Sequence, residues 1–210
     1  MAYDYKKEEK ALYQPKTTPS AIEIPPMNFL AVRGQGDPNQ EGGAYKTAVG
    51  LLFGLAYTIK MSKKGDHAIP GYFDFVVPPL EGLWWQEDGS VPNLTQKQSF
   101  QWIALLRLPE FVTPAELDWA RAEARAKKKS DFSPVEFFSY HEGLCVQCMH
   151  QGPYDSEPAT MAAMLDFAQG NGYVPDYSES RLHHELYLSD PNKCAPERLR
   201  TILRLPVRRK

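Results

Sequence analysis

The hydrophobic positions change period several times along the chain, and each change marks an element. Met27-Asn-Phe-Leu-Ala-Val-Arg-Gly34 is rich in β-formers and runs into the turn cluster Gly34-Gln-Gly36-Asp-Pro38, which predicts a strand. From Tyr45 to Lys60 the period becomes helical, with Val49, Leu52, Phe53, Ala56 and Ile59 on one face. Tyr72-Phe-Asp-Phe-Val-Val77 predicts a strand ended by Pro78 and Pro79. Phe100-Gln-Trp-Ile-Ala-Leu-Leu-Arg-Leu108 predicts another, stopped by Pro109. Thr113 to Lys129 carries helix-start signals: Thr113 as N-cap, Pro114 in the first position, and Glu116 placed for a capping box. Lys127, Lys128 and Lys129 fall in its last turn, where the helix dipole favours cations, so the triplet reads as an end-cap and not a nucleic-acid patch.

The same order then returns. Gly143-Leu-Cys-Val-Gln-Cys-Met-His150 predicts a strand closed by Gly152-Pro153-Tyr154. Glu157 to Gly170 predicts a helix, with Met161, Met164, Leu165 and Ala168 at helical spacing and Gly170 as its stop. Arg181-Leu-His-His-Glu-Leu-Tyr-Leu188 and Thr201-Ile-Leu-Arg-Leu-Pro-Val207 predict two strands. Each half reads strand, glycine turn, helix, strand, strand. The expected fold is α+β, with duplicated strand–helix–strand–strand units in pseudo-two-fold relation around a central ligand cleft. A polar lead-in (1–26) precedes one domain (27–210): repeat one over about 27–108, a connector helix over about 114–129, and repeat two over about 142–208.

Composition narrows the classes. Net charge is −2 and the pI about 6.2, without the basic surplus of a nucleic-acid binder, so no direct nucleic-acid partner is expected. No stretch approaches the ~20 apolar residues of a membrane span. Met1 to Lys10 has no apolar signal core, and three cysteines suit a reducing compartment, so a soluble, cytoplasmic protein is expected. Four Trp and 11 Tyr carry meaning only if several converge on one cleft.

Among residues able to do chemistry, Glu185 comes first. Strand alternation puts His183, Glu185 and Tyr187 on one face and His184, Leu186 and Leu188 on the other. Glu185 either sits at a wet edge or faces a cavity, where desolvation would make it a base or a cation receptor. Tyr187 shares its face and can exchange a proton with it; the plain alternative is a half-buried strand aromatic. His183 reads as an ordinary surface or core histidine. In Leu80-Glu-Gly-Leu-Trp-Trp-Gln86 the adjacent Trp84 and Trp85 point in different directions, one to the core and the other to a cleft wall able to stack on a flat ligand. Cys145-Val-Gln-Cys148 lies inside a strand, which sends the sulfurs to opposite faces and argues against a redox pair or a zinc site. Gly34, Gly36, Gly42 and Gly43 fit no phosphate-loop pattern. No metal and no cofactor are expected.

Three segments in register, His150-Gln-Gly-Pro-Tyr154, Glu185-Leu-Tyr-Leu-Ser-Asp-Pro191 and Leu199-Arg-Thr-Ile-Leu-Arg-Leu-Pro206, resemble the GyrI-like (gyrase-inhibitor-like) small-molecule-binding superfamily. Phe73-Asp-Phe-Val-Val-Pro-Pro-Leu-Glu-Gly-Leu-Trp-Trp85 resembles its stand-alone branch. The resemblance implies that Glu185 matches the family's cleft glutamate, which meets cationic drugs in the regulators. Some stand-alone members hydrolyse cyclopropanoid DNA-alkylating compounds. On that pattern Glu185 would activate water, Tyr187 would stabilise the developing phenolate, and Trp84 or Trp85 would hold a planar aromatic ligand. Tyr45, Tyr140 and Tyr154 are the other tyrosines within reach of such a cleft. The alternatives are a non-catalytic xenobiotic-binding protein and a regulator of a DNA-processing enzyme. About 25 residues before the first strand are too few for a helix-turn-helix reader, so the transcription-factor role is not carried over.

Overall fold

The computed structural model describes residues 2–88, 93, 95–128 and 130–210. Two one-turn helices, α1 (Tyr5–Glu8) and α2 (Lys10–Tyr13), precede strands β1 (Ser20–Ile24) and β2 (Met27–Gln35). Helix α3 (Ala44–Lys60), strands β3 (Leu80–Gln86) and β4 (Phe100–Arg107), and helix α4 (Pro114–Lys128) follow. The second half contains β5 (Glu136–Tyr140), β6 (Gly143–Gln151), α5 (Glu157–Gly170), β7 (Tyr173–Pro175), β8 (His183–Tyr187) and β9 (Arg200–Arg209). The fold is α+β.

The strands pair antiparallel in the order β1-β6-β9-β8-β3-β4-β2-β5, with β7 added beside β9. Outward from the β3–β8 seam, β3, β4 and β2 run one way and β8, β9 and β6 the other. The element order of the two halves therefore ends in counterpart strands lying side by side at the centre. Directly opposed residues share a face, so one row can be followed across six strands: Cys148, Leu203, Glu185, Gly82, Ala104 and Val32. Helix α3 covers Val32 and Ala104, and helix α5 covers Cys148 and Leu203. Glu185 is the one charged residue in that row.

Three expectations change. Tyr72–Val77 is not a strand: it makes a single bridge, Phe75 to Tyr3, and its rings gather round Phe111 instead. The strand begins after the two prolines, at Leu80, because Pro78 and Pro79 have no N–H to give a ladder. The lead-in is built into the body. Tyr5, Tyr13 and Ile24 are buried, and β1 pairs with β6. The end of the connector helix at Lys129 lies outside the described residues, although its start is as expected, with the Glu116 amide donating to Thr113 Oγ1 at 3.4 Å. The Glu116 carboxylate turns away from the cap to His67 Nε2, 2.7 Å off.

Beneath the seam, on the face away from the long helices, lies a buried ionic cluster. His184 Nδ1 is 3.0 Å from Glu142 Oε2, and its Nε2 is 3.0 Å from Glu81 Oε2. Arg204 donates to the same Glu142 oxygen at 3.0 Å and to the Leu12 carbonyl at 3.0 Å, tying the N-terminal segment to the sheet. Burial alone would strip the proton from His184, but Glu142 and then Glu81 outweigh it and raise the imidazole to about 9. Burial likewise works against the Glu142 anion, yet His184 and Arg204 hold it at about 2. Two acids, Glu81 and Glu142, thus face two bases, His184 and Arg204.

The pH dependence follows from the signs. His184 stabilises the fold fully below the 6.5 of a free imidazole, and that contribution is lost as pH rises through about 9. Glu142 contributes above 4.5, and its share is lost as pH falls through about 2. Thermal midpoints measured against pH should therefore decline on the alkaline side through pH 9. Glu142→Ala, which strands two buried cations, should cost about 3–5 kcal/mol in denaturant unfolding.

Candidate functional site

A carboxylate in an apolar row needs donors, and Glu185 has them on both oxygens. Tyr187, two residues on and on the same face of β8, donates its hydroxyl to Oε2 at 2.7 Å. His183, two residues back, sets Nε2 3.0 Å from Oε1. The Glu185 side chain is 13% exposed and that of His183 6%. Burial first, and the Glu185 charge second, push Tyr187 well above an ordinary phenol, so it stands as a neutral donor.

The far end of this chain is Trp84, whose Nε1 donates to the Tyr187 hydroxyl at 2.9 Å. The approach depends on Gly82. A Cβ at Gly82 would lie 2.4 Å from Trp84 Nε1, so only glycine leaves the indole room to fold back along β3 toward β8. Tyr45, at the start of α3, packs against Trp84 at 5.2 Å and edge-on to Trp102 at 5.0 Å. Its hydroxyl is buried, and burial and Glu185 together raise it. Tyr154 comes from the other half, in the turn before α5, its ring edge-on to Tyr187 at 5.9 Å. Burial, then Glu157 and Glu185, push it up to about 12.

Glu185, Tyr187, Trp84, Tyr45 and Tyr154 are thus brought together. Trp85 and Tyr140 are not; they lie on the opposite face of the sheet. Trp85 follows Trp84 on the strand and so points to the opposite face, against Leu83 and Tyr140. Tyr140 lies on β5, stacked on Phe138 at 5.7 Å and edge-on to His184 at 6.4 Å, on the underside of the sheet. Alternation also separates Cys145 from Cys148, which join different apolar clusters.

Sequence reasoning passed over His183, Gly82 and Glu157. His183 was visible as the residue two before Glu185 on the same face. Nothing local marked Gly82 or Glu157, because the Trp84 indole and the α5 start reach them through tertiary packing. The rings of Tyr45, Trp84, Tyr187 and Tyr154 lie one against the next on the Glu185 face. Two depressions, of about 220 Å³ beside Ser62, His67 and Tyr72 and about 360 Å³ beside Glu9, Pro26 and Arg107, lie apart from it. Among the described residues no group of three or more His, Cys, Asp or Glu side chains is arranged to hold a metal ion, and no helix is long and apolar enough to cross a membrane.

A family model for the GyrI-like small molecule binding domain matches residues 17–208. The chain belongs to the GyrI-like family. A Listeria innocua protein described as a hydrolase is similar to this GyrI-like chain at 47% identity and TM-score 0.90, over 98% of this chain and 100% of that one. An uncharacterised conserved protein from Listeria innocua is 49% identical, with TM-score 0.92 over 98% and 100% of the two chains. The C-terminal domain of EcmrR, 14% identical with TM-score 0.54 over 92% of this chain and 98% of that one, shares the fold alone. No curated protein matches the chain.

The folded-back indole gives a direct test of the site's construction. Gly82→Ala should drive Trp84 off Tyr187, shift the tryptophan emission, and destabilise the protein by about 1–3 kcal/mol. Unchanged emission and an unchanged thermal midpoint would show that the indole does not depend on the missing Cβ.

Proposed function

We propose that this GyrI-like chain binds a flat aromatic molecule over the Glu185 row and hydrolyses it, adding water to a cyclopropane conjugated to a dienone. The observation that carries the reading is the one carboxylate of the row that crosses the seam, hydrogen-bonded at both oxygens and neighboured by Trp84, Tyr45, Tyr154 and Tyr187. The 47% identical Listeria innocua protein described as a hydrolase supports hydrolysis as the class of reaction. The ligand enters beside Tyr45 or Tyr154 and takes a place against Trp84. Stacking on an indole suits a planar partner.

In the reaction Glu185 takes a proton from water as the water oxygen bonds to the cyclopropane methylene. The strained carbon–carbon bond breaks and its electron pair passes to the dienone carbonyl oxygen, which ends as a phenol. Strain and aromatisation drive the step, and the protein supplies position and a base, an effect worth about 10²–10⁴-fold. Tyr187 is committed at both ends, accepting from Trp84 and donating to Glu185, so its task is to orient the carboxylate. The product no longer alkylates DNA.

The test is incubation of the protein with a cyclopropanoid alkylator, following the dienone absorbance and the product mass. The expected outcome is loss of the chromophore with the gain of one water. Glu185→Gln, nearly isosteric, should fold normally and be at least about 100-fold slower. An unchanged chromophore with quenched tryptophan emission would overturn hydrolysis in favour of sequestration.

A further inference from the structure

The seam holds a second carboxyl group that the reaction above leaves without a task. Glu157 is the first residue of α5, 6% exposed, and its Oε1 is buried without a hydrogen-bond partner. The short turn Tyr154–Ser156 delivers it: the same turn that lays the Tyr154 ring on Tyr187 runs straight into the helix. Among the charges that bear on Glu157, Glu185 is the strongest, and the charge of Glu157 in turn reaches Tyr187 and Tyr154. Lys97 is the base that acts on it, and Lys97 is already paired with Asp155 at 3.2 Å.

Two carboxyl groups in one desolvated pocket do not both ionise, and donors decide which keeps the charge. Glu185 is hydrogen-bonded at both oxygens, to Tyr187 and to His183. The Glu157 oxygen has no such partner, and burial, Glu185 and Asp155 together push its carboxyl well above the usual range.

Opening a cyclopropane onto a dienone requires a proton acceptor for the water and a donor for the carbonyl oxygen. With the Tyr187 proton directed at Glu185, the donor's place is open. We propose that Glu157 is the proton donor of this site, an assignment that rests on the hydrolytic reading. The water oxygen bonds to the methylene, the ring bond breaks, and the electron pair goes to the carbonyl oxygen, which receives the Glu157 proton. Glu185 holds the proton taken from water and returns it through solvent to Glu157 before the next turnover. No oxidant or other co-reactant is needed.

The experiment has two readouts on the full chain. Difference infrared spectroscopy at neutral pH, wild type against Glu157→Gln, reports whether a protonated carboxyl is present, and a pH titration of that band in wild type needs no variant. The rate profile on a cyclopropanoid alkylator then tests its use. Wild-type kcat/KM should fall on an alkaline limb as Glu157 ionises. Glu157→Gln should be about 10²-fold slower and lack that limb, and Glu157→Asp, which keeps a proton, should restore it. Absence of the infrared band overturns the proposal, and so does a Glu157→Gln protein with wild-type rate and limb while wild type is active. A wild type inert toward the alkylator with the band present overturns the hydrolytic reading, and the donor role falls with it.

Discussion

A carboxylate placed in the middle of an apolar row, under two helices and between the two halves of a sheet, is the constraint around which this molecule is arranged. An ionised group so placed costs several kcal/mol in lost hydration unless donors replace the water. Tyr187 and His183 replace it from the same strand, Trp84 steadies Tyr187 from the neighbouring one, and the bare backbone of Gly82 lets the indole reach. The seam strands therefore carry a chain of dependencies: register sets the row, the row exposes Glu185 to its donors, and the missing side chain at 82 completes the set.

The two faces of β8 show opposite electrostatic logic within three residues. Below, His184 sits between Glu81 and Glu142, with Arg204 closing the balance, and every charge is answered by another. Such a cluster fixes register and ties down the N-terminal segment. Above, Glu185 is bonded to Tyr187 and His183, and Glu157 keeps a buried oxygen with no partner. The uncompensated face is the one on which proton transfer or recognition of an electrophile is possible.

Most of this architecture was legible in the sequence because the long elements announce their own period. Glu185 and Tyr187 fell on one face by alternation alone. Trp84 and Trp85 were separable only in principle, since alternation says that one faces the cleft and register says which. The position of Tyr140 under the sheet was not legible, because β5, a five-residue strand, gave no signal of its own. Tyr72–Val77 has the composition of a strand, yet the prolines after it and the ring of Phe111 beside it claim its side chains for a loop cluster. His183 was discounted because histidines on strands are usually ordinary, and only the 3.0 Å contact distinguishes this one. Glu157 was legible only as the start of a helix, and its burial depends on a fold the sequence does not spell out.

The account's central claim is that ligand binding and chemistry both occur on the Glu185 row. The most direct measurement is a crystal structure of the Glu185→Gln protein soaked with an intact cyclopropanoid alkylator. The account predicts the flat ring system against Trp84, with Tyr45 or Tyr154 rotated away and the cyclopropane methylene beside residue 185. A ligand seated instead in the depression beside Glu9 and Arg107, with the seam still closed by its own rings, would contradict it.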